Sequence, residues 1–196
     1  MILPIVAYGD PVLKKKATDI SKDYPDLEVL LENMFETMYN AFGVGLAAPQ
    51  IGLPIRLFVI DTSPFADDED LSPEEQHRLK NFKRVFINAK IIAEEGDEWS
   101  FNEGCLSIPD VREDVLRQPK ITIEYVDEKF NSHTETFEGL IARVIQHEYD
   151  HIEGVLFIDK LSGLKKRLLK GKLLNISKGK IRVDYRMRFP DQKKKR

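Results

Sequence analysis

The sequence predicts an α+β fold: antiparallel sheets packed around a central helix, followed by a C-terminal helix and a basic tail. Two observations carry this expectation. Strand-like segments gather mid-chain while helical patterns flank them, so the two types segregate instead of alternating. The run at 132–139 can also fold back on 121–127 across the short turn "DEKFN", as antiparallel partners do. The 196 residues suit one globular domain, 1–175, with a tail at 176–196.

Taken in order, residues 25–42 place Leu27, Leu30, Leu31, Met34, Phe35, Met38 and Phe42 at helical spacing, with Pro25 at the start and Gly43 at the end. "GVGLAAPQIGLP" is rich in Gly and Pro and reads as a loop. "IRLFVID" (55–61) is apolar and β-prone. Residues 61–75 hold seven acids and read as an exposed loop leading into a short helical piece. "RVFINAKIIAEEG" (84–96) suggests one strand or a bent pair. "ITIEYVD" (121–127) sets Ile121, Ile123 and Tyr125 on one face. Helices follow at 140–153, stopped by Gly154, and at 160–174, where Leu161, Leu164, Leu168 and Leu169 recur about once per turn.

Charge is unevenly spread. From Lys160 onward 15 Lys/Arg face 2 acids, so with a total of −3 the preceding residues carry −16. A basic end on an acidic body suits an anionic partner such as ribosomal RNA, or simply aids solubility. No apolar run reaches the roughly 20 residues that span a bilayer, and the N-terminus has no basic export signal. The single cysteine, Cys105, excludes an internal disulfide. These features predict a cytoplasmic protein with no membrane role and no required protein partner.

The chemistry centres on "VIQHEYDHIEG" (144–154), which contains His-Glu-x-x-His. At about 100° per residue, Leu140, Val144, His147 and His151 fall within about 60° of one another. Glu148 lies beside that stripe among Ile141, Ile145 and Ile152, and Gln146, Tyr149 and Glu153 lie towards the opposite side. A hydrogen-bonded pair of core histidines is the plain alternative. Two histidines and a carboxylate are costly to bury unpaired, and a divalent cation satisfies all three.

A third ligand is needed. Phe157 occupies the position where one zinc-protease pattern continues with histidine, and no Glu follows Glu153. Asp159, Asp184 and Asp191 remain as weaker downstream choices. Upstream, Cys105 in "EGCLSIP" is the best candidate, since a thiolate suits zinc or ferrous iron. His77 and His133 stand in polar surroundings and read as surface residues.

Three segments, "GVGLAAPQ" (43–50), "EGCLS" (103–107) and "QHEYDH" (146–151), together resemble the peptide deformylase family in order and spacing. The resemblance extends to about residue 175. Tyr149 replaces a more usual Met or Leu, and the acidic stretch at 61–75 is an insertion relative to shorter relatives. The family removes the formyl group from N-terminal formyl-methionine. The resemblance implies metal ligation by Cys105, His147 and His151, with Glu148 as general base and then acid. An apolar wall should raise the Glu148 pKa. It further implies oxyanion donors from the Gln50 amide and the Leu106 backbone N–H. Gly43, Val44 and Gly45 would lie along the peptide, with Val44, Leu140, Arg143, Val144 and His147 about the methionine pocket, Arg112 close by and Gly104 also among the substrate-binding residues. The narrow space beside the metal should favour formyl over acetyl. Irving–Williams order favours zinc; the resemblance implies Fe2+, with Zn2+, Ni2+ or Co2+ as substitutes. A general zinc endopeptidase and a non-catalytic RNA-binding module with a structural metal are the rival readings. On the ribosome-contact reading, deleting 178–196 should weaken ribosome binding without changing short-peptide turnover.

Overall fold

The structure is a computed structural model and describes residues 1–190. The chain opens with a two-residue strand, β1 (Ile5–Val6), and a short 3-10 turn. Helix α1 (Leu27–Asn40) follows, then β2 (Gly45–Ala47) and β3 (Leu57–Asp61). Helix α2 (Pro73–Lys80) closes the acidic stretch, its Ser72 Oγ accepting the Glu75 N–H at the N-cap. Next come β4 (Lys83–Glu95), β5 (Trp99–Cys105), β6 (Ile108–Arg117), β7 (Lys120–Val126) and β8 (Ser132–Glu138). Helix α3 (Gly139–Ile152), helix α4 (Gly163–Ser177) and β9 (Met187–Arg188) complete the order.

Five strands form one antiparallel sheet in the order β2-β3-β4-β7-β8. Strand β3 is almost wholly apolar because both of its faces are covered. Phe58 and Ile60 point into the core shared with α3, while Leu57 and Val59 join the core under α1. Ile121, Ile123 and Tyr125 line the α3 side, as the alternation in β7 predicts. The long β4 is a single strand that bends at two register shifts. Asn88, at φ 53, sits in that region and clasps the Ile20 backbone through both its amide atoms.

The hairpin of β5 and β6 forms a second sheet, and parallel pairing of β1 with β9 a third. Sequence patterning assigns none of these four strands. The hairpin segment mixes Gly104, Pro109 and many charges, and the β1–β9 pair joins opposite ends of the chain. A third core lies around the hairpin, formed with Val6, Leu13, Phe157, Leu173 and Ile176.

Helix α3 runs through the centre. It leaves β8 directly at Gly139 (φ 63) and ends at Gly154 (φ 75). A Cβ on Gly154 would meet the Lys14 carbonyl oxygen at 2.7 Å, so only glycine fits that close approach. The helix is more enclosed than its wheel suggests. Gln146, expected to face outward, is buried and donates to the Gln118 carbonyl at 3.0 Å. Tyr149 packs against the core with the Arg56 guanidinium 5.7 Å above its ring. Glu153 accepts from Arg56 at 2.6 Å.

The leucines spaced along this region divide: Leu161 is buried and Leu169 packs against the third core, whereas Leu164 and Leu168 are 61% and 76% exposed, and Leu173 and Ile176 anchor the helix. The expected boundary at 175 falls inside α4, and residues 181–190 return along the body as an extended strap. Residues 191–196, and with them Asp191 and the last basic run, lie outside the described residues.

Phe86 is fully buried, stacked on Phe58 at 4.8 Å and tilted against Tyr125 at 4.4 Å. Phe86→Ala should lower stability by about 3–5 kcal/mol, read as a lower midpoint in chemical denaturation.

Candidate metal centre

Two elements supply the centre. Cys105 ends β5, where the hairpin ladder slips register, and His147 and His151 project from successive turns of α3. The Cys105 Sγ and one nitrogen from each imidazole all lie within 4.8 Å of one another. Sγ stands 3.3 Å from His151 Nε2. Ligands sharing one tetrahedral cation are separated by roughly 3.5 Å, given metal–sulfur and metal–nitrogen bonds of about 2.0–2.3 Å. The donor set therefore fits a borderline divalent cation. Among the described residues no other potential ligand joins this group. Asp159 instead pairs with Lys14 and accepts the Leu156 N–H, and Asp184 is exposed on the strap.

The ligands are held from behind by a carboxylate. Glu103 Oε2 lies 2.9 Å from His147 Nδ1, which leaves Nε2 for the cluster. The same carboxylate receives Arg117 Nε at 2.7 Å and Nη2 at 2.9 Å, and Arg143 Nη1 at 2.9 Å. Burial alone would raise the Glu103 pKa, but hydrogen bonds from Arg117 and His147 hold it well below the usual carboxylate range. Glu103 and Arg117 are functional candidates that the sequence reading missed. A signal was present: Glu103 stands two residues before Cys105, which in a strand means the same face.

Glu148 is buried beside the histidines, and its Oε2 has no hydrogen-bond partner. Burial pushes its carboxyl up to about 7, with the His147 and Arg117 charges pulling the other way. Gly45 makes room for it: a Cβ there would meet Glu148 Cγ and Cδ at 2.7 Å. Gln50 is also buried rather than exposed on its loop. Its Oε1 accepts the Ala47 N–H at 2.8 Å, which turns Nε2 towards Cys105 Sγ, 3.6 Å away.

These groups face one cleft of ≈ 470 Å³. Gly43, Val44, Gly45, Gln50, Gly104, Cys105, Leu106, Arg112, Val144, His147 and Glu148 line it. His151 is buried and does not. Two pocket expectations change. Leu140, in the first turn of α3, packs against the sheet core instead of lining the cleft. Arg143 lines it, but its guanidinium is committed to Glu103, to the Val115 and Trp99 carbonyls and to the Trp99 ring at 4.4 Å. Arg112 is tied to Asn102 through Nε at 2.9 Å and Nη2 at 2.7 Å. Strap residues Arg182 to Tyr185 also line the cleft, which no local pattern foretold.

A mixed α+β chain that gathers a cysteine and two histidines within 4.8 Å, with a buried glutamate beside them at the wall of one cleft, has the architecture of a metal-dependent hydrolase. Comparisons with known proteins narrow this class. The family model described as polypeptide deformylase matches residues 2–167. Peptide deformylases of Christiangramia forsetii and Flavobacterium johnsoniae are each 70% identical over 100% of both chains. The solved structure of peptide deformylase from Thermus thermophilus aligns with TM-score 0.78 and 39% identity, covering 91% of this chain and 99% of that one. The chain belongs to the polypeptide deformylase family, whose members are metal-dependent enzymes.

Replacing Glu103 with Ala should leave the buried Arg143 guanidinium without a carboxylate and Arg117 with Asp150 alone. Stability should fall by about 3–5 kcal/mol in chemical denaturation. Metal affinity should weaken roughly 10–100-fold, measured by competition with a chelating dye.

Proposed function

We propose that this chain hydrolyses the N-formyl group of formyl-methionyl peptides emerging from synthesis, releasing formate and a free amino terminus. The observation that carries the reading is the convergence of Cys105, His147 and His151 within 4.8 Å, beside a buried Glu148, in a chain of this family. The proposed ligands are Cys105, His147 and His151. Fe2+ is the proposed native ion, on family resemblance, with Zn2+, Ni2+ or Co2+ able to replace it. When bound, such a cation acidifies water and polarises a carbonyl oxygen.

The chain's own groups account for the remaining steps. Strand β2 is an edge of the sheet, so Gly43–Gly45 can pair with an extended peptide as an added strand. Val44 and Val144 offer apolar wall to the methionine side chain. The Gln50 amide and the Leu106 N–H donate to the oxygen of the formyl carbon as it becomes tetrahedral. Such donors each contribute about 3–4 kcal/mol. Glu148 takes the proton from the attacking water, and its raised pKa suits it to return that proton to the leaving nitrogen. Water adds to the formyl carbon, the C–N bond breaks, and the nitrogen leaves protonated. A closely lined cleft favours hydrogen over methyl on that carbon.

The rival readings lack comparable support. No fourth ligand closes the cluster among the described residues, as a structural metal would require. The family match also speaks for the deformylase reading over a general endopeptidase.

A cytoplasmic site of action fits a co-translational enzyme, and no helix among the described residues is long and apolar enough to cross a membrane. Contact with ribosomal RNA is proposed through the exposed bases of α4 and the segment after it. Removing 178–196 is not a clean test, because Arg182 to Tyr185 line the cleft and short-peptide turnover would change too.

The decisive assay is formate release from formyl-Met-Ala beside acetyl-Met-Ala. The formyl peptide should be cleaved and the acetyl peptide left nearly intact; efficient cutting of internal peptide bonds would sink the reading. Glu148→Ala should lower turnover by about 10²–10⁴-fold while metal stays bound. For the ribosome, replacing Arg167, Lys170, Lys178 and Lys180 with Gln should flatten the salt dependence of binding and spare turnover. An unchanged slope would remove α4 from the interface.

A further inference from the structure

We propose that one residue of the C-terminal strap, Tyr185, is a positioning residue that fixes the turn carrying the Leu106 N–H. This rests on the deformylase reading above. The strap alternates strictly. Ile181, Val183, Tyr185, Met187 and Phe189 are partly covered, while Arg182, Asp184, Arg186 and Arg188 are exposed. Its inward side chains reach two different cores, so it ties them together across the cleft.

Leu106 and Ser107 alone connect β5 to β6, next to the register slip at Gly104 and Cys105. A two-residue turn at a slip has little ladder to hold it, and its peptide planes need other partners. Three contacts supply them. The Tyr185 hydroxyl donates to the Leu106 carbonyl at 2.7 Å. The Tyr8 N–H donates to the Ser107 carbonyl at 2.8 Å. The Leu106 side chain packs where a Cβ on Gly43 would sit only 2.8 Å from it. The strap is itself clamped just beyond the tyrosine, where Ile5 and Ala7 N–H groups donate to the Arg186 and Arg188 carbonyls at 2.9 Å each.

The Leu106 carbonyl and its own N–H lie in adjacent peptide planes hinged at one α-carbon; with the preceding plane held at Cys105, which pairs with Ile108, anchoring the carbonyl limits how far the residue can swing and so restricts its N–H beside the cysteine ligand. That N–H has no acceptor among the described residues, which leaves it for a substrate oxygen. Donor placement matters because a misplacement of about 1 Å can cost roughly 100-fold in rate. A tyrosine that merely filled the core would satisfy its hydroxyl anywhere. Here the acceptor is the residue adjoining a proposed ligand, and the ring stands in the cleft wall.

The test measures formate release from formyl-Met-Ala and bound metal per chain in wild type, Tyr185→Phe and Phe189→Ala. In Tyr185→Phe, kcat per bound metal should fall about tenfold with KM changed less than about twofold, the pattern of a donor lost only in the transition state. Phe189→Ala loosens the far end of the strap. It should lower the melting temperature yet keep kcat per bound metal. Unchanged kcat per bound metal in Tyr185→Phe would overturn the inference, as would an equal fall in both variants. A wild-type chain that binds metal and releases no formate would overturn the deformylase reading and this inference with it.

Discussion

The interaction on which the rest depends is the buried carboxylate of Glu103. It joins the hairpin to the central helix through Arg117, Arg143 and His147 at once. Arg117 extends the link to Asp150, at 2.7 Å on the same helix. Burying one negative charge among two guanidinium groups costs desolvation, and the hydrogen bonds offset it only because the geometry is two-pronged. The result orients one imidazole and sets the distance between the strand that carries the sulfur and the helix that carries both nitrogens.

The same logic governs Glu148. Its carboxylate packs under β2 at the cleft wall because Gly45 has no side chain, and burial raises its affinity for a proton. Such a setting suits the proposed role of Glu148 as a base that later acts as an acid. Gln50 is prepared in a comparable way, with its oxygen tied to a backbone N–H so that its nitrogen faces the cleft. His147 and Gln50 thus each tie one hydrogen-bonding atom to the scaffold and leave the other turned towards Cys105.

Much of this was legible beforehand where the signal is local. The α1 pattern, the apolar β3, the alternation of β7 and the glycine that ends α3 all rest on periodicity or on one residue's conformation, and each matches the structure. The metal cluster was also readable, because two histidines one turn apart constrain a helix face, and few side chains remained to complete the set. Spacing alone did not show that Leu164 and Leu168 face outward while Leu169 packs inward, and family resemblance did not show that Leu140 faces the sheet. Spacing defines a stripe, but which side of the helix meets protein depends on what else folds against it.

The sequence alone pointed to the family, through the resemblance of three motif segments, and determined the α+β class and the residues able to bind a cation, which follow from residue chemistry and short-range order. Only the tertiary structure decided that Glu103 braces His147, that Arg143 commits its charge to the scaffold and that the strap closes the cleft beside Leu106. Those facts come from contacts between segments up to 79 residues apart along the chain, Tyr185 and Leu106 being the farthest. Such pairings are set by packing across the whole fold and leave no period or spacing in any one segment.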